Sequence, residues 1–226
     1  MTPFALGVRA IAAYNLQRHM NLRVYGREHV PRTGPAVLAA RHYHHLFDGA
    51  ALVMGLPRQP HIFVALDWTR SPWERLLMET VCNLADWPVA LRGDNLDGRA
   101  GGGFARSEVR AYVRKSIAFA ATLLERGELL AIFPEGYPTI DPAGSRKPDD
   151  DAFLPFAPGV LAIVERAERA MNAAVPILPV GFRYARATGS RFDITMRVGP
   201  PLERAPGTAR EDVTRALEAR VRALSE

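Results

Sequence analysis

The sequence has a single cysteine, Cys82, so no disulfide can form within the chain. Long hydrophobic runs are also missing, and no stretch offers the roughly 18 consecutive apolar residues that a membrane-spanning helix needs. Residues 1–20 do not resemble a secretory leader, because Arg9 interrupts them and no cleavage signal follows. We therefore expect a cytoplasmic protein whose contact with any membrane is peripheral.

Aromatic residues make up 8% of the chain and do not interleave with basic runs, which argues against nucleic acid as a partner. Repeats and linkers are absent as well, and this favours one domain over residues 1–226. What the chain does have is a positive excess, with 29 Lys and Arg against 24 Asp and Glu. The net charge of +5 suits an anionic partner, either a phospholipid surface or a phosphorylated ligand.

Short apolar runs alternate with amphipathic segments along the whole chain, which is typical of an α/β protein. We predict a single domain with a mixed β-sheet and helices on both faces. The predicted strands cover 22–25, 35–40, 62–66, 87–92, 129–133, 175–181 and 192–198. The predicted helices cover 2–20, 49–56, 71–81, 107–126, 160–171 and 210–224. Two prolines in 175–181 remove ladder donors, so this strand is expected at a margin of the sheet.

The first twenty residues predict a helix, with Thr2 as N-cap and Pro3 at the first helical position. Apolar side chains share one face of this helix, whereas Arg9 and Arg18 point elsewhere. One interpretation packs the helix on its own domain. The other places it at a membrane interface with its arginines toward anionic headgroups, and the sequence leaves both open.

Candidate catalytic residues concentrate in residues 41–49, between an apolar strand and the start of an apolar helix. Three of the six histidines lie within four positions of this turn, and Asp48 follows them. Loops at the carboxyl ends of strands form the crevice of open α/β sheets, so a site is expected here. A neutral His42 can accept a proton from a hydroxyl if Asp48 orients its ring and stabilises the imidazolium. His44 would share a face with Asp48 only if the helix has already begun.

A second apolar strand ends about ninety residues later in the turn Phe133-Pro134-Glu135-Gly136. We predict that this turn and the histidine turn face each other across one site. The loop that follows, 137–152, contains three consecutive aspartates and is expected to be a solvated surface.

Two other segments resemble known functional motifs but lack residues that those motifs need. His42-x-His44 after a strand is similar to the metal-binding turn of metallo-β-lactamase-type hydrolases, but Leu46 and Phe47 occupy the places of the Asp and His that continue that motif. We therefore predict no metal site. The glycine-rich segment 98–103 lacks the ordered spacing and the lysine of a phosphate-binding loop, so a flexible loop is expected there.

Four blocks in order resemble the glycerolipid acyltransferases, the family of the 1-acylglycerol-3-phosphate acyltransferases. These blocks are His42-x5-Asp48, a strand that ends in Arg92, Phe133-Pro134-Glu135-Gly136, and Val175-Pro176-Ile177-Leu178-Pro179. The resemblance runs from about Tyr25 to Leu202. It implies the family's α/β fold and an O-acyltransferase of lipid metabolism and phospholipid biosynthesis.

The resemblance also implies a role for each position. His42 would be the general base on the acceptor hydroxyl, and Asp48 its orienting partner. Arg92 would bind acceptor phosphate, alone or with Arg41, while Glu135 and Gly136 would shape the acceptor site. Residues 175–179 would help to line the acyl-chain side. The donor would be an acyl thioester, acyl-CoA or acyl carrier protein, with no permanently bound cofactor, and the acceptor a lyso-glycerolipid or similar lipid.

The chain departs from the family pattern in three places. It has five residues rather than four between the His and the Asp, it has Arg41 where Asn is common, and Tyr137-Pro138-Thr139 replaces the usual Thr-Arg or Thr-Ser. Two alternative functions therefore remain at the level of sequence. One is an esterase or thioesterase in which water replaces the acceptor, and the other is a lipid-binding protein without catalysis.

Overall fold

The computed structural model describes residues 3–92, 106–142, 144–187, 191–205 and 207–226. The helices in these ranges are α1 (Pro3–His19), α2 (Phe47–Gly55), α3 (Pro72–Leu84), α4 (Val109–Glu125), α5 (Gly159–Met171) and α6 (Arg210–Leu224). The strands are β1 (Met20–Tyr25), β2 (Ala36–Ala40), β3 (His61–Ile62), β4 (Val64–Ala65), β5 (Val89–Ala90), β6 (Leu129–Ile132), β7 (Ile177–Arg186) and β8 (Phe192–Val198). Thr2 and the glycine-rich segment 98–103 lie outside the described residues.

Six strands form one sheet in the order β1-β8-β7-β2-β6-β3. Its neighbouring strands run parallel except β7 and β8, which run antiparallel, so the sheet is mixed as predicted. β4 and β5 pair in a separate two-stranded sheet. The predicted strand 62–66 is therefore divided, because β3 joins the main sheet and β4 the small one.

The central strand β2 explains why helices cover both faces of the main sheet. Successive side chains of a strand point to opposite faces, and all five residues of β2 are fully buried. Leu38 packs in a core cluster with residues of α1 and α2. Val37 packs in a second cluster with residues of α4, α5 and α6. Burying both faces requires the continuous apolar run that this strand has.

The parallel pairing of β2 with β6 positions the two candidate turns. Ala39 lies opposite Ile132 in the register, so the chain leaves both strands at the same edge of the sheet. The histidine turn follows β2, and the turn that contains Glu135 follows β6. The predicted proximity of the two turns is therefore confirmed by the sheet itself.

The placement of β7 corrects one prediction, because this strand is internal rather than marginal. Pro179 has no N–H to donate, yet it lies opposite Ala39 of β2. The Pro179 carbonyl accepts from the Gly199 amide, so the backbone polar groups of Pro179 face β8 rather than β2. Gly199 lies beyond Val198, the last paired residue of β8, so the absent N–H falls where the antiparallel ladder has already ended. The hydrogen bonds between β7 and β2 are made by alternate residues of β7. One of them joins the Val180 carbonyl to the Arg41 amide, which donates. Pro179 thus removes no bond between β7 and β2.

Local signals set several boundaries as expected. Ser71 caps α3 by accepting from the Glu74 amide at 3.2 Å, with Pro72 in the first turn. α6 spans the predicted residues, and its inward positions Val213, Leu217 and Val221 are buried. In the described part of the chain, no helix combines the length and the apolarity that crossing a bilayer requires.

Candidate active site

His42 and Asp48 lie in contact at the edge of the main sheet. The Nδ1 atom of His42 is 3.0 Å from Oδ2 of Asp48, whose side chain is fully buried, while the His42 side chain keeps 15% exposure. The turn folds back because the amides of Tyr43 and His44 donate to the same Oδ2, at 2.7 and 3.0 Å. A carboxylate here accepts an Nδ1–H bond, and this tautomer leaves the Nε2 lone pair of His42 available for a proton.

Tyr184 completes the contacts of Asp48, and sequence reasoning missed it. Its hydroxyl donates to Oδ1 of Asp48 at 2.5 Å from a position 136 residues away. The predicted strand 175–181 stopped short of this residue, whereas β7 continues to Arg186. Asp48 therefore accepts from Tyr184 on one oxygen and from the histidine turn on the other. The N-terminal turn of α2, in which Asp48 lies, also favours a negative charge.

The second turn closes on His42 from the side of β6. Phe133 stacks on the His42 ring with 4.2 Å between ring centroids. Glu135 Oε1 accepts from the His42 amide at 2.8 Å, and its Oε2 accepts from the Leu154 amide at 3.1 Å. Glu135 thus holds the backbone that carries His42 and is itself buried.

Lys147 is the second residue that the sequence did not reveal. Its ammonium lies 2.6 Å from Glu135 Oε2, both side chains are fully buried, and the same Nζ donates to the His42 carbonyl at 2.6 Å. Burial lowers the pKa of Lys147, and the Glu135 carboxylate opposes this shift. The 137–152 loop is therefore not wholly a solvated surface, because Lys147 inserts from it beneath the histidine turn.

His44 and His45 have different surroundings from His42. His44 is buried against Phe47, with 3.9 Å between ring centroids, and its Nδ1 accepts from the amides of Leu46 and Phe47 at 3.2 and 3.4 Å. Burial, with His45 nearby, lowers the pKa of His44 to about 4, so the ring is neutral and serves the start of α2 as an acceptor. His45 is exposed, and its Nδ1 lies 3.2 Å from the Ile140 carbonyl.

Arg92 emerges just after β5 and is held beside the second turn. Its Nε lies 2.9 Å from both carboxylate oxygens of the buried Asp67, and Nη1 donates to the Gly136 carbonyl at 2.5 Å. The guanidinium also lies 4.1 Å from the centre of the Tyr137 ring. The sequence also allows Arg92 to be a surface arginine paired with Asp94 or Asp97, and both aspartates lie outside the described residues.

Arg41 does not lie where the predicted role of binding the acceptor would need it. Its side chain is buried and donates to the carbonyls of Phe182 and Asp150, at 3.2 and 3.0 Å. It also lies over the Phe153 ring, 4.4 Å from the centroid. Burial lowers the pKa of Arg41. These contacts tie β7 to the 137–152 loop, and Arg41 is not among the described residues that line the adjacent cavity.

A largely apolar cavity of about 1040 Å³ opens beside His42. His42, Phe133, Gly136 and Arg92 line it near the two turns, and α1 and α3 contribute apolar residues to its walls, among them Phe4, Val8, Ile11, Met78 and Val81. Its size is at the upper end of ordinary ligand pockets. Residues 175–179, predicted to line an acyl chain, are not among the described lining residues. Val175 and Ile177 pack in the core with α5 and α6 instead.

Among the described residues, neither metal binding nor nucleophilic attack by a cysteine has a suitable site. No three His, Cys, Asp or Glu side chains there converge into a set that could hold a metal ion. Cys82 is buried in the small cluster beneath α3, and burial raises the pKa of its thiol to about 11. The thiolate needed for nucleophilic attack is therefore scarce at neutral pH.

Known proteins share the sequence pattern and the fold of this chain. Residues 21–183 match the family described as acyltransferase. The matched range includes most of the chain and the whole histidine turn. The structure is similar to the crystal structure of the 1-acyl-sn-glycerophosphate (LPA) acyltransferase PlsC from Thermotoga maritima, with a TM-score of 0.61 and 16% sequence identity. That match covers 97% of this chain and 77% of the other. Among curated proteins, none matches this chain. The chain belongs to the acyltransferase family.

Proposed function

We propose that the protein transfers a fatty acyl group from an acyl thioester, acyl-CoA or acyl carrier protein, to a hydroxyl of a lyso-glycerolipid, in the manner of a 1-acylglycerol-3-phosphate acyltransferase. The observation that carries this proposal is the contact of His42 with the buried Asp48 beside an apolar cavity that His42 lines. The base and the space for an aliphatic chain are therefore adjacent.

His42 acts as the general base. Nε2 takes the proton of the acceptor hydroxyl while the hydroxyl oxygen attacks the thioester carbonyl carbon. The tetrahedral intermediate then expels the thiolate, which recovers the proton from the imidazolium and leaves as a thiol. Asp48 fixes the ring tautomer and stabilises the imidazolium. No covalent enzyme intermediate is needed, because the reaction depends on holding a hydroxyl beside the thioester.

A direct test separates transfer from hydrolysis and from binding alone. Thiol release and labelled ester formation are measured with a labelled acyl-CoA and with acyl carrier protein, each with and without lyso-phospholipid. Transfer predicts thiol release only with the acceptor, in step with ester formation. Thiol release without acceptor would replace the proposal with a thioesterase. Binding of donor with no release under any condition would indicate a lipid-binding protein.

Arg92 is proposed to bind the acceptor phosphate, because it lines the cavity and Asp67 and Gly136 fix its guanidinium there. Arg92→Lys keeps the charge but loses the planar fork, so we expect a higher KM for a phosphate-bearing acceptor with little change in the KM for the donor. Arg92→Ala should cost about 1.5–3 kcal/mol in kcat/KM with that acceptor.

A monoacylglycerol, which lacks phosphate, is the matched control for both Arg92 variants. Its kinetics should change little if Arg92 acts on phosphate. Equal losses with the two acceptors would instead indicate that the variants disturb Asp67 and the local fold. A wild-type enzyme that prefers the phosphate-free acceptor would leave a neutral lipid alcohol as the substrate.

Peripheral membrane association is proposed to occur through exposed apolar side chains of α1 and α3. Ile11 on α1 and Trp73 and Leu77 on α3 are exposed by 63, 78 and 62%, on the two helices that form the cavity walls. Arg9, by contrast, donates to the Val53 carbonyl at 3.1 Å. Its side chain is therefore directed to the protein and not to the lipid headgroups, where the interfacial interpretation of the first helix expects it. Exposed apolar side chains on the helices that line the cavity would hold it against a bilayer that contains the lipid substrate.

We expect the protein to sediment with anionic phosphatidylglycerol vesicles more than with neutral phosphatidylcholine vesicles, and less at high salt, because of its net charge of +5. Trp73→Ser with Leu77→Ser should lower binding roughly tenfold or more, since a large apolar side chain contributes about 1.5–3 kcal/mol on burial. Tyr25→Ser removes an exposed aromatic from the edge strand β1 and is the control. Equal binding to both vesicle types would contradict the prediction.

A further inference from the structure

The Asp48 carboxylate is held from two sides by different parts of the chain. Oδ2 accepts from the histidine turn, while Oδ1 accepts the hydroxyl of Tyr184 from β7. A carboxylate fixed at only one oxygen can rotate about its terminal torsion, which is broad and roughly two-fold in its preference. The Tyr184 bond fixes the second oxygen and so restricts that rotation.

We propose that Tyr184 is a positioning residue for acyl transfer, which holds the Asp48 carboxylate in the orientation that keeps His42 aligned. This inference rests on the proposed function of His42 as the base. Tyr184 acts through Asp48, and it is assigned no contact with substrate. It lies outside all four sequence blocks that carry the family resemblance.

The surroundings of Tyr184 make its position rigid. Its ring stacks on Tyr43 with 4.2 Å between centroids and an interplanar angle of 11°. Phe192 of β8 meets the ring edge-on at 5.8 Å. Tyr184 lies within the antiparallel ladder, opposite Ile194. A group held on a paired strand and between aromatic neighbours is placed more accurately than one on a loop.

The hydroxyl of Tyr184 is the donor in this bond. Burial, together with the negative charge of Asp48, raises the pKa of Tyr184 well above its ordinary value. The phenol therefore stays protonated throughout the range in which a histidine base works, and its bond to an ionised carboxylate is charge-assisted. Tyr184 thus disperses part of the Asp48 charge that His42 also feels.

Removing this donor should alter the pH profile. Without the Tyr184 hydrogen bond, Oδ1 of Asp48 is no longer fixed by β7, and the interaction of the carboxylate with the His42 ring changes. The acid limb of kcat/KM depends on the general base, so we expect it to move. The other charged and titratable groups near Asp48 are unchanged by this substitution; they are Arg41, Tyr43, His44, His45, Glu135 and Lys147.

The test is Tyr184→Phe, which keeps the ring and its stacking and removes only the hydroxyl. We expect kcat to fall roughly tenfold or more, KM for donor and acceptor to stay within about twofold, and the acid limb of kcat/KM to move. Tyr112→Phe is the matched control, because the Tyr112 hydroxyl donates to the Glu79 carboxylate away from His42. It should lose a comparable hydrogen bond without moving the profile. In an Asp48→Asn background, Tyr184→Phe should have little further effect.

An unchanged pH profile for Tyr184→Phe, or equal losses in the two tyrosine variants, would overturn the inference. A second readout keeps it testable if no acyl transfer is detected. The Nδ1–H proton of His42 should give a downfield NMR resonance that is retained in Tyr112→Phe and is shifted or lost in Tyr184→Phe. A resonance identical in all three proteins would exclude the positioning role, whatever reaction the protein catalyses.

Discussion

His42→Ala is expected to lower kcat/KM for acyl transfer by roughly a hundredfold or more, which is the contribution of a positioned general base. To act as a base, the imidazole needs a fixed tautomer and a partner that stabilises the imidazolium, and this site provides both. Asp48 supplies both at 3.0 Å, and Phe133 holds the ring by stacking on it. The measurement is steady-state thiol release with saturating acceptor, with circular dichroism to establish that the variant is folded.

His44→Ala and His45→Ala are the neighbouring comparisons, and each should lose less activity than His42→Ala. His44 binds the first amides of α2 and is neutral, with a pKa of about 4. Its loss should appear chiefly as lower stability of the turn. His45 is exposed and contacts the Ile140 carbonyl. An inactive His44→Ala together with an active His42→Ala would refute the assignment of the base.

Lys147→Met is expected to destabilise the fold by about 3–5 kcal/mol, the cost of leaving a buried charge without its partner. Glu135 would remain fully buried with two amide donors but no cation, and the His42 carbonyl would lose its Lys147 donor. Urea unfolding at constant pH measures the change. Activity should fall as well, because both ends of the network are attached to the backbone of His42.

Two variants control for side effects of the Lys147 substitution. Lys115, the only other lysine, is exposed on α4, and Lys115→Met should change stability by less than about 0.5 kcal/mol. Lys147→Met combined with Glu135→Gln removes the uncompensated charge and should recover part of the lost stability. A Lys147→Met variant as stable as Lys115→Met would show that the buried pair does not brace the site.

The local part of the site was accessible from sequence. His42 and Asp48 are six positions apart in one strand-to-helix junction, so a single tight turn brings them together. Their pairing needs no knowledge of the rest of the chain. The same holds for the Ser71 cap of α3 and the buried stripe of α6, because capping and helical spacing depend on neighbouring residues.

The rest of the site depends on strand order, which no local pattern encodes. Tyr184 reaches Asp48 because β7 lies directly beside β2, and the two prolines that suggested a marginal strand pointed away from that arrangement. Lys147 lies in a loop of polar composition, yet the fold turns it inward to Glu135. Arg41 follows an apolar strand, and its burial is set by contacts with β7 and with Asp150, 109 residues away.

The α/β alternation, the two polar turns and the His42–Asp48 pair can be predicted from the sequence, because each follows from propensity and spacing over a few residues. The folded chain is needed to see which distant side chains brace that pair, that Arg41 is buried, and that α1 and α3 line the cavity. These contacts form only when the sheet brings remote segments of the chain together. Polar groups that become buried in this way need hydrogen-bond partners, and those partners come from the remote segments.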